Sequence, residues 1–162
     1  MINEKEIKQR FPIEMRERME DAGFRPYHMS YFCQTKPSCI NEYLQGTALP
    51  NLWSLVLMAE YLDCSTNDLF GINVSELELD YERYLASKMF HNEYEFAHCV
   101  SDRMMYLIDT KYASLDAFSD RSGIGKDTLK RWTGLRPKLP RAADLLRVCN
   151  ALNCTPSDLL GY

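Results

Sequence analysis

Apolar positions in the last third of the chain follow a helical spacing on both sides of a sharp break. Phe118 precedes Gly123, and Leu129 and Trp132 follow it, all within residues 114–140. This layout predicts a supporting helix, a short turn that contains Gly, and a second helix with a free outer face. The sequence therefore predicts a helix-turn-helix that ends near residue 134.

The rest of the chain shows the same helical periodicity and no strand pattern of useful length. Leu52, Leu55, Val56 and Ala59 repeat at intervals of three and four, which is typical of a helix with one face turned to a core. Ser65 and Thr155 have the character of helix N-caps. The predicted fold class is all-α.

An internal repeat divides the chain. Residues 48–71 align with 138–161 at a constant offset of 90, and upstream positions align at 89. The sequence predicts the same small domain of about five helices twice, at residues 10–71 and 96–162. Residues 72–95 contain neither Gly nor Pro, and an apolar stripe from Leu77 to Met89 predicts a linker helix that packs on the domains or pairs with a second chain.

Composition narrows the class of protein. The 162-residue chain has no apolar run long enough for a membrane span, and its charged N-terminus does not resemble a signal peptide, so we expect a cytoplasmic protein. None of the six cysteines forms a CxxC pair, which favours buried free thiols over a metal site. The sequence contains no phosphate loop, paired-His motif or nucleophile elbow. We therefore expect neither an enzyme nor a cofactor.

Charge is distributed unevenly. The whole chain carries −4, yet residues 97–162 have ten basic and seven acidic groups, a net +3. Six of those basic groups lie within residues 126–141, on and just after the second helix of the predicted motif. A local basic cluster of this kind can neutralise phosphates whatever the net charge of the chain, although a solvated helix face is the alternative.

Both halves resemble the phage-repressor and Cro-like helix-turn-helix family, also called XRE-like or lambda-repressor-like. The first half departs from the family pattern in the turn, where Gln34 replaces the usual Gly. The second half has signature residues at Ser114, Phe118, Ser119, Gly123, Ile124, Thr128, Leu129, Trp132, Gly134 and Pro140. The first half retains Gly23, Met29, Ser30, Ile40, Tyr43, Gly46 and Pro50.

The resemblance implies double-stranded DNA as the partner and assigns roles to residues of the second half. It implies that Lys126, Asp127 and Arg131 contact bases. The implied phosphate contacts are Ser114, Thr128, Lys130, Arg136, Lys138 and Arg141.

The chemistry of these side chains agrees with such roles. Arg and Lys donate two hydrogen bonds to guanine, and hydroxyls and helix N-termini suit phosphate oxygens. Asp127 either accepts a hydrogen bond from cytosine N4, or caps the helix and holds Lys130 or Arg131 in place. Trp132 follows Leu129 on the inner side, so we expect a core residue rather than a platform for base stacking.

The first half offers different chemistry at the equivalent positions. Pro37, Ser38, Asn41 and Glu42 stand where the second half has its polar and basic reading residues, in a region of net −4. We expect a weak DNA reader or none, and an interaction surface instead. Candidate aromatic residues for that surface, some of which would equally complete a core, are Tyr27, His28, Tyr31, Phe32 and Trp53.

Two function classes follow from the sequence. The first is a sequence-specific DNA-binding transcriptional regulator, a repressor by family analogy, acting as a homodimer with reading helices about 34 Å apart. The second is a protein-interaction or inhibitor protein of a phage or mobile element, which reuses the fold without binding DNA. The acidic first half favours the second class, and the basic helix favours the first.

Overall fold

The computed structural model describes residues 3–73 and 92–161, and within these ranges the chain is all-α. Most of the predicted linker helix lies outside the described residues. The helices of the first half are α1 (Glu4–Ala22), α2 (Pro26–Phe32), α3 (Pro37–Gln45), α4 (Leu52–Tyr61) and α5 (Thr66–Leu69). Those of the second half are α6 (Glu93–Lys111), α7 (Leu115–Ser122), α8 (Lys126–Thr133), α9 (Ala142–Leu152) and α10 (Pro156–Leu160).

The helices begin where side chains can satisfy the free N–H groups of the first turn. The Ser114 hydroxyl accepts a hydrogen bond from the backbone N–H of Ala117. Ser65 and Thr155 form capping boxes with Asp68 and Asp158, as predicted from the sequence. Short polar caps thus fix the register of helices that are too short to be stable alone.

Helix starts in the two halves correspond along the whole repeat. The first three helices of each half start 89 residues apart, and the last two start 90 apart. The correspondence extends upstream of the repeat found in the sequence, because Asn3 caps α1 and Asn92 caps α6. Residues 93–95, assigned from the sequence to the linker, belong to α6.

The buried apolar side chains of both halves form one continuous core. The inner face of α1 carries Ile7, Phe11, Met15 and Met19, all buried, whereas Ala22 is exposed instead of lying on this face. α1 therefore starts before residue 10 and contributes two further turns to the core. Gly23 ends it in the left-handed conformation, with φ of 70°.

All six cysteines are free thiols, and three of them are buried. Burial raises the pKa of the Cys33 and Cys64 thiols to about 12, because an apolar environment disfavours the thiolate. These residues act as small hydrophobic groups, as predicted. None of the described helices is long and apolar enough to cross a membrane.

Candidate nucleic-acid interface

The turn between α7 and α8 is held by side-chain and backbone contacts. Gly123 adopts φ of 68°, a left-handed conformation that a side chain would strain. The Ser119 hydroxyl donates to the carbonyl oxygen of Ile124 at 2.6 Å. These contacts set the angle at which α8 leaves α7, so the predicted helix-turn-helix is present.

α8 is anchored from its inner side. Leu129 is fully buried and Trp132 is 5% exposed, which confirms that Trp132 is a core residue. Trp and Leu together remove a large apolar surface from water, so the helix cannot rotate about its axis without exposing them. The polar side chains of α8 are therefore held on its outer face.

Four of the candidate residues lie exposed on that outer face. Lys126, Asp127, Lys130 and Arg131 are all exposed, and the Arg131 guanidinium donates to the Thr128 hydroxyl at 3.3 Å. Among the residues that the structure describes, Asp127 forms no ion pair. No described ion pair therefore supports the interpretation in which Asp127 holds Lys130 or Arg131 in place.

Lys126 is not free in this arrangement. Its ammonium lies 2.9 Å from the carboxylate of Asp116 in α7. The hydrogen bond and the charge of Asp116 raise the pKa of Lys126. Contact with a base or phosphate would have to compete with this exposed ion pair, which is worth little in water.

The segment after α8 folds back along the helix. The backbone N–H of Lys138 donates to the carbonyl oxygen of Arg131 at 2.9 Å. Leu135 is 94% exposed, and Arg136 and Lys138 are also exposed beside it. The loop therefore extends the basic surface beyond the end of α8.

Arg147 in α9 joins this surface, although sequence reasoning did not select it. Its guanidinium donates to the carbonyl oxygen of Gly123 at 2.7 Å and to that of Ser122 at 3.4 Å. It also approaches the Asp144 carboxylate, which pairs with Arg141. From the sequence, the spacing of three between Asp144 and Arg147 predicts a contact between these two side chains. It does not predict that Arg147 contacts a turn 24 residues earlier.

The turn and the start of α9 enclose a basic pocket of about 460 Å³. Backbone of residues 123–125 and the Thr128 side chain form one wall. Asp144 contributes the negative charge. The cationic lining residues are Arg131, Lys138, Arg141 and Arg147. Guanidinium and ammonium groups on one lining suit an anionic oxygen ligand such as a backbone phosphate.

The first half builds the same turn with different chemistry. Gln34, equivalent to Gly123, takes a φ of 52°, and its side chain accepts a hydrogen bond from the Trp53 indole at 3.2 Å. The Ser30 hydroxyl donates across the turn to the Thr35 carbonyl oxygen, as Ser119 does in the second half. The departure of Gln34 from the family pattern thus leaves the turn intact. Leu57 occupies the position equivalent to Arg147, and it is buried.

The helix-turn-helix of the second half lies in a part of the chain that matches a known protein family. Residues 104–162 match the Cro/C1-type HTH DNA-binding domain. The matched residues run from within α6 to the end of the chain, and they include every candidate base and phosphate contact. Comparisons with curated proteins and with solved structures gave no match.

The helices α7 and α8 both lie within the residues that match the Cro/C1-type domain. In this domain the α7–α8 pair forms the helix-turn-helix, and α8 presents its free face outward. The ion pair between Lys126 and Asp116 brings an acidic group of α7 to the start of α8.

Replacing Asp116 with asparagine is expected to raise the affinity of the full chain for duplex DNA by about two- to fivefold, because it frees Lys126 and removes a charge that repels phosphates. Fluorescence anisotropy at fixed salt would measure the change. Asp120→Asn is the matched control, since Asp120 is exposed on the same helix and forms no described ion pair. Equal gains for both variants would contradict a specific role of the Lys126–Asp116 pair.

Proposed function

We propose that the protein is a sequence-specific DNA-binding transcriptional regulator that inserts α8 into the major groove. The observation that carries this proposal is an exposed cationic helix face, anchored by Leu129 and Trp132, within a Cro/C1-type HTH domain. The major groove of B-DNA is about 12 Å wide and admits an α-helix.

Individual side chains take separate tasks in this proposal. Arg131 and Lys126 would donate to guanine O6 and N7, and Asp127 would accept from cytosine N4. The phosphate contacts would fix the register of the helix without reading sequence. They are supplied by Ser114, Thr128, Lys130, Arg136, Lys138, Arg141 and Arg147.

We further propose that the two halves are separate helix-turn-helix domains, residues 10–71 and 96–162. The corresponding helix starts support this division. Occlusion of a promoter would make the protein a repressor, by analogy with the family. The proposal includes two reading helices on one DNA duplex. A pair of reading helices doubles the contacts with one face of the DNA.

The test is a selection of bound sequences from random duplex DNA with the full chain, followed by salt titration. We expect one enriched motif and an affinity that falls steeply with salt, with a log–log slope of about −0.9 for each phosphate contact. Recovery of no enriched sequence, together with weak binding that is insensitive to base composition, would contradict sequence-specific recognition.

A second function, binding of a protein partner through the first half, is favoured by an exposed aromatic cluster. Tyr31 and Tyr27 are 83% and 62% exposed, whereas His28, Phe32 and Trp53 are half-buried. The Phe32 ring stacks on Tyr61 with centroids 4.2 Å apart. Interface cores are enriched in such residues.

Purification of the full chain with one stoichiometric protein and without nucleic acid would favour this second function. Loss of that protein in Tyr31→Ala, with unchanged thermal stability, would place the contact on the aromatic cluster.

A further inference from the structure

The two halves touch each other at equivalent residues of the repeat. Asn67 in α5 and Ser157 in α10 are 90 residues apart, which is the repeat offset. The backbone N–H of Asn67 donates to the Ser157 hydroxyl at 3.1 Å, and the backbone N–H of Ser157 donates to the Asn67 amide oxygen at 3.1 Å. Each residue thus makes a reciprocal contact with its own equivalent.

This contact is partly buried. Asn67 is 5% exposed, and the neighbouring Thr66 is fully buried. The Thr66 and Ser157 hydroxyls lie 3.1 Å apart, so the polar groups of the junction pair with one another across it. A partly buried junction of paired polar groups favours one relative orientation of the two halves.

Equivalent residues also line one groove at a second place. A groove of about 620 Å³ separates the start of α4 from the start of α9, and the N-termini of α1 and α6 also reach it. Its lining contains matched pairs, each formed by one residue and its counterpart from the other half. These are Glu4 with Glu93, Leu49 with Leu139, Pro50 with Pro140, Asn51 with Arg141 and Leu52 with Ala142.

A contact between equivalent residues at one place and a groove lined by equivalent residues at another are the pattern that a two-fold axis produces. In an isologous interface, the same surface patch serves both partners, and residues on the axis meet their own copies. Here both patches belong to one chain. The axis passes between Asn67 and Ser157 and through the groove.

We propose that the chain is its own dimer: the first half is a covalently attached partner for the second, so one chain occupies the DNA site that two subunits would share. The part of this inference that concerns DNA binding rests on the proposed function. Since α3 leads to Leu49–Pro50 as α8 leads to Leu139–Pro140, the axis places α3 and α8 symmetrically on either side of the groove.

The two reading positions are chemically unequal. α3 presents Ser38, Asn41 and Glu42, all exposed, where α8 presents Asp127, Lys130 and Arg131. Asn41 suits adenine and Glu42 suits cytosine, but Glu42 also repels phosphates. One half-site is therefore read strongly and the other weakly, and the selected DNA motif is asymmetric rather than palindromic.

The first test is stoichiometry in solution. Sedimentation of the full chain should give a monomer of 18.9 kDa over a wide concentration range, and one chain per selected duplex. Two chains per duplex, or a free dimer that dissociates on dilution, would overturn the internal dimer. A monomer that binds no duplex would contradict the proposed function instead. The pairing of the halves is tested separately by the double-mutant cycle below.

The pairing itself is tested without DNA by a double-mutant cycle. Asn67→Ala and Ser157→Ala should each lower the unfolding midpoint, and the double variant should lose less than the sum of the two. Additive losses would overturn the contact on which the axis depends.

The position of α3 is tested by a gain of function. Glu42→Arg places a guanidinium at the position equivalent to Arg131 and should raise DNA affinity by about tenfold. Glu60→Arg is the matched control, because Glu60 is exposed in the last turn of α4, away from the groove, and the charge change is the same. Equal gains for the two variants would overturn the placement of α3 on DNA.

Discussion

The variant Arg131→Ala is expected to bind the selected DNA sequence about 5- to 150-fold more weakly than the wild-type chain, and to lose preference at one base pair. A bidentate contact between Arg and guanine is worth about 1–3 kcal/mol, which converts to that range. The Arg131 side chain is exposed, and the hydrogen bond described for its guanidinium is with the Thr128 hydroxyl at 3.3 Å, so its removal should leave the fold unchanged.

Lys138→Ala is the matched control for this prediction. Lys138 is also exposed and basic, but it lies in the loop after α8. Its loss should weaken binding to all sequences equally and reduce the salt slope by about one. Titration of a panel of duplexes with single base changes distinguishes the two variants. An Arg131 variant that weakens all duplexes uniformly would show that this residue contacts phosphate and not a base.

The variant Trp132→Ala is expected to lower the free energy of unfolding of the second half by about 3–5 kcal/mol, because truncation leaves a cavity behind α8. The indole is 5% exposed and packs on the inner side of the helix with Leu129. A loss of this size is a large part of the stability of a small domain, so DNA binding should fail together with folding.

Urea denaturation followed by circular dichroism would measure this change through the unfolding midpoint. Leu135→Ala is the matched control, since Leu135 is three residues away in sequence but 94% exposed. The control should change the midpoint little. A Trp132 variant as stable as the Leu135 variant would contradict the assignment of the indole as the anchor of α8.

Local signals in the sequence predicted much of the second half. Gly123, the Ser114 cap and the spacing of Leu129 and Trp132 act within a few residues of one another, so their consequences can be inferred from the chain alone. The basic cluster on α8 was likewise visible from sequence, and its exposed position follows from the buried inner face.

Contacts between distant residues could not be predicted in this way. Arg147 reaches the turn at Gly123 from another helix, and Lys126 pairs with Asp116 across the two helices of the motif. The first domain was predicted to begin at residue 10, but α1 begins at Glu4 and continues through Pro12, although proline is usually disfavoured within a helix. Asn67 and Ser157 carry no signal of their contact other than the repeat offset.

The reciprocal hydrogen bonds between α5 and α10 affect how the occupancy of the proposed DNA site depends on protein concentration. A regulator assembled from two separate chains fills its site in proportion to the square of its abundance when dilute. A single polypeptide that carries both units responds linearly, without a threshold. Each unit is also free to accumulate its own substitutions, because a change in one is not imposed on the other.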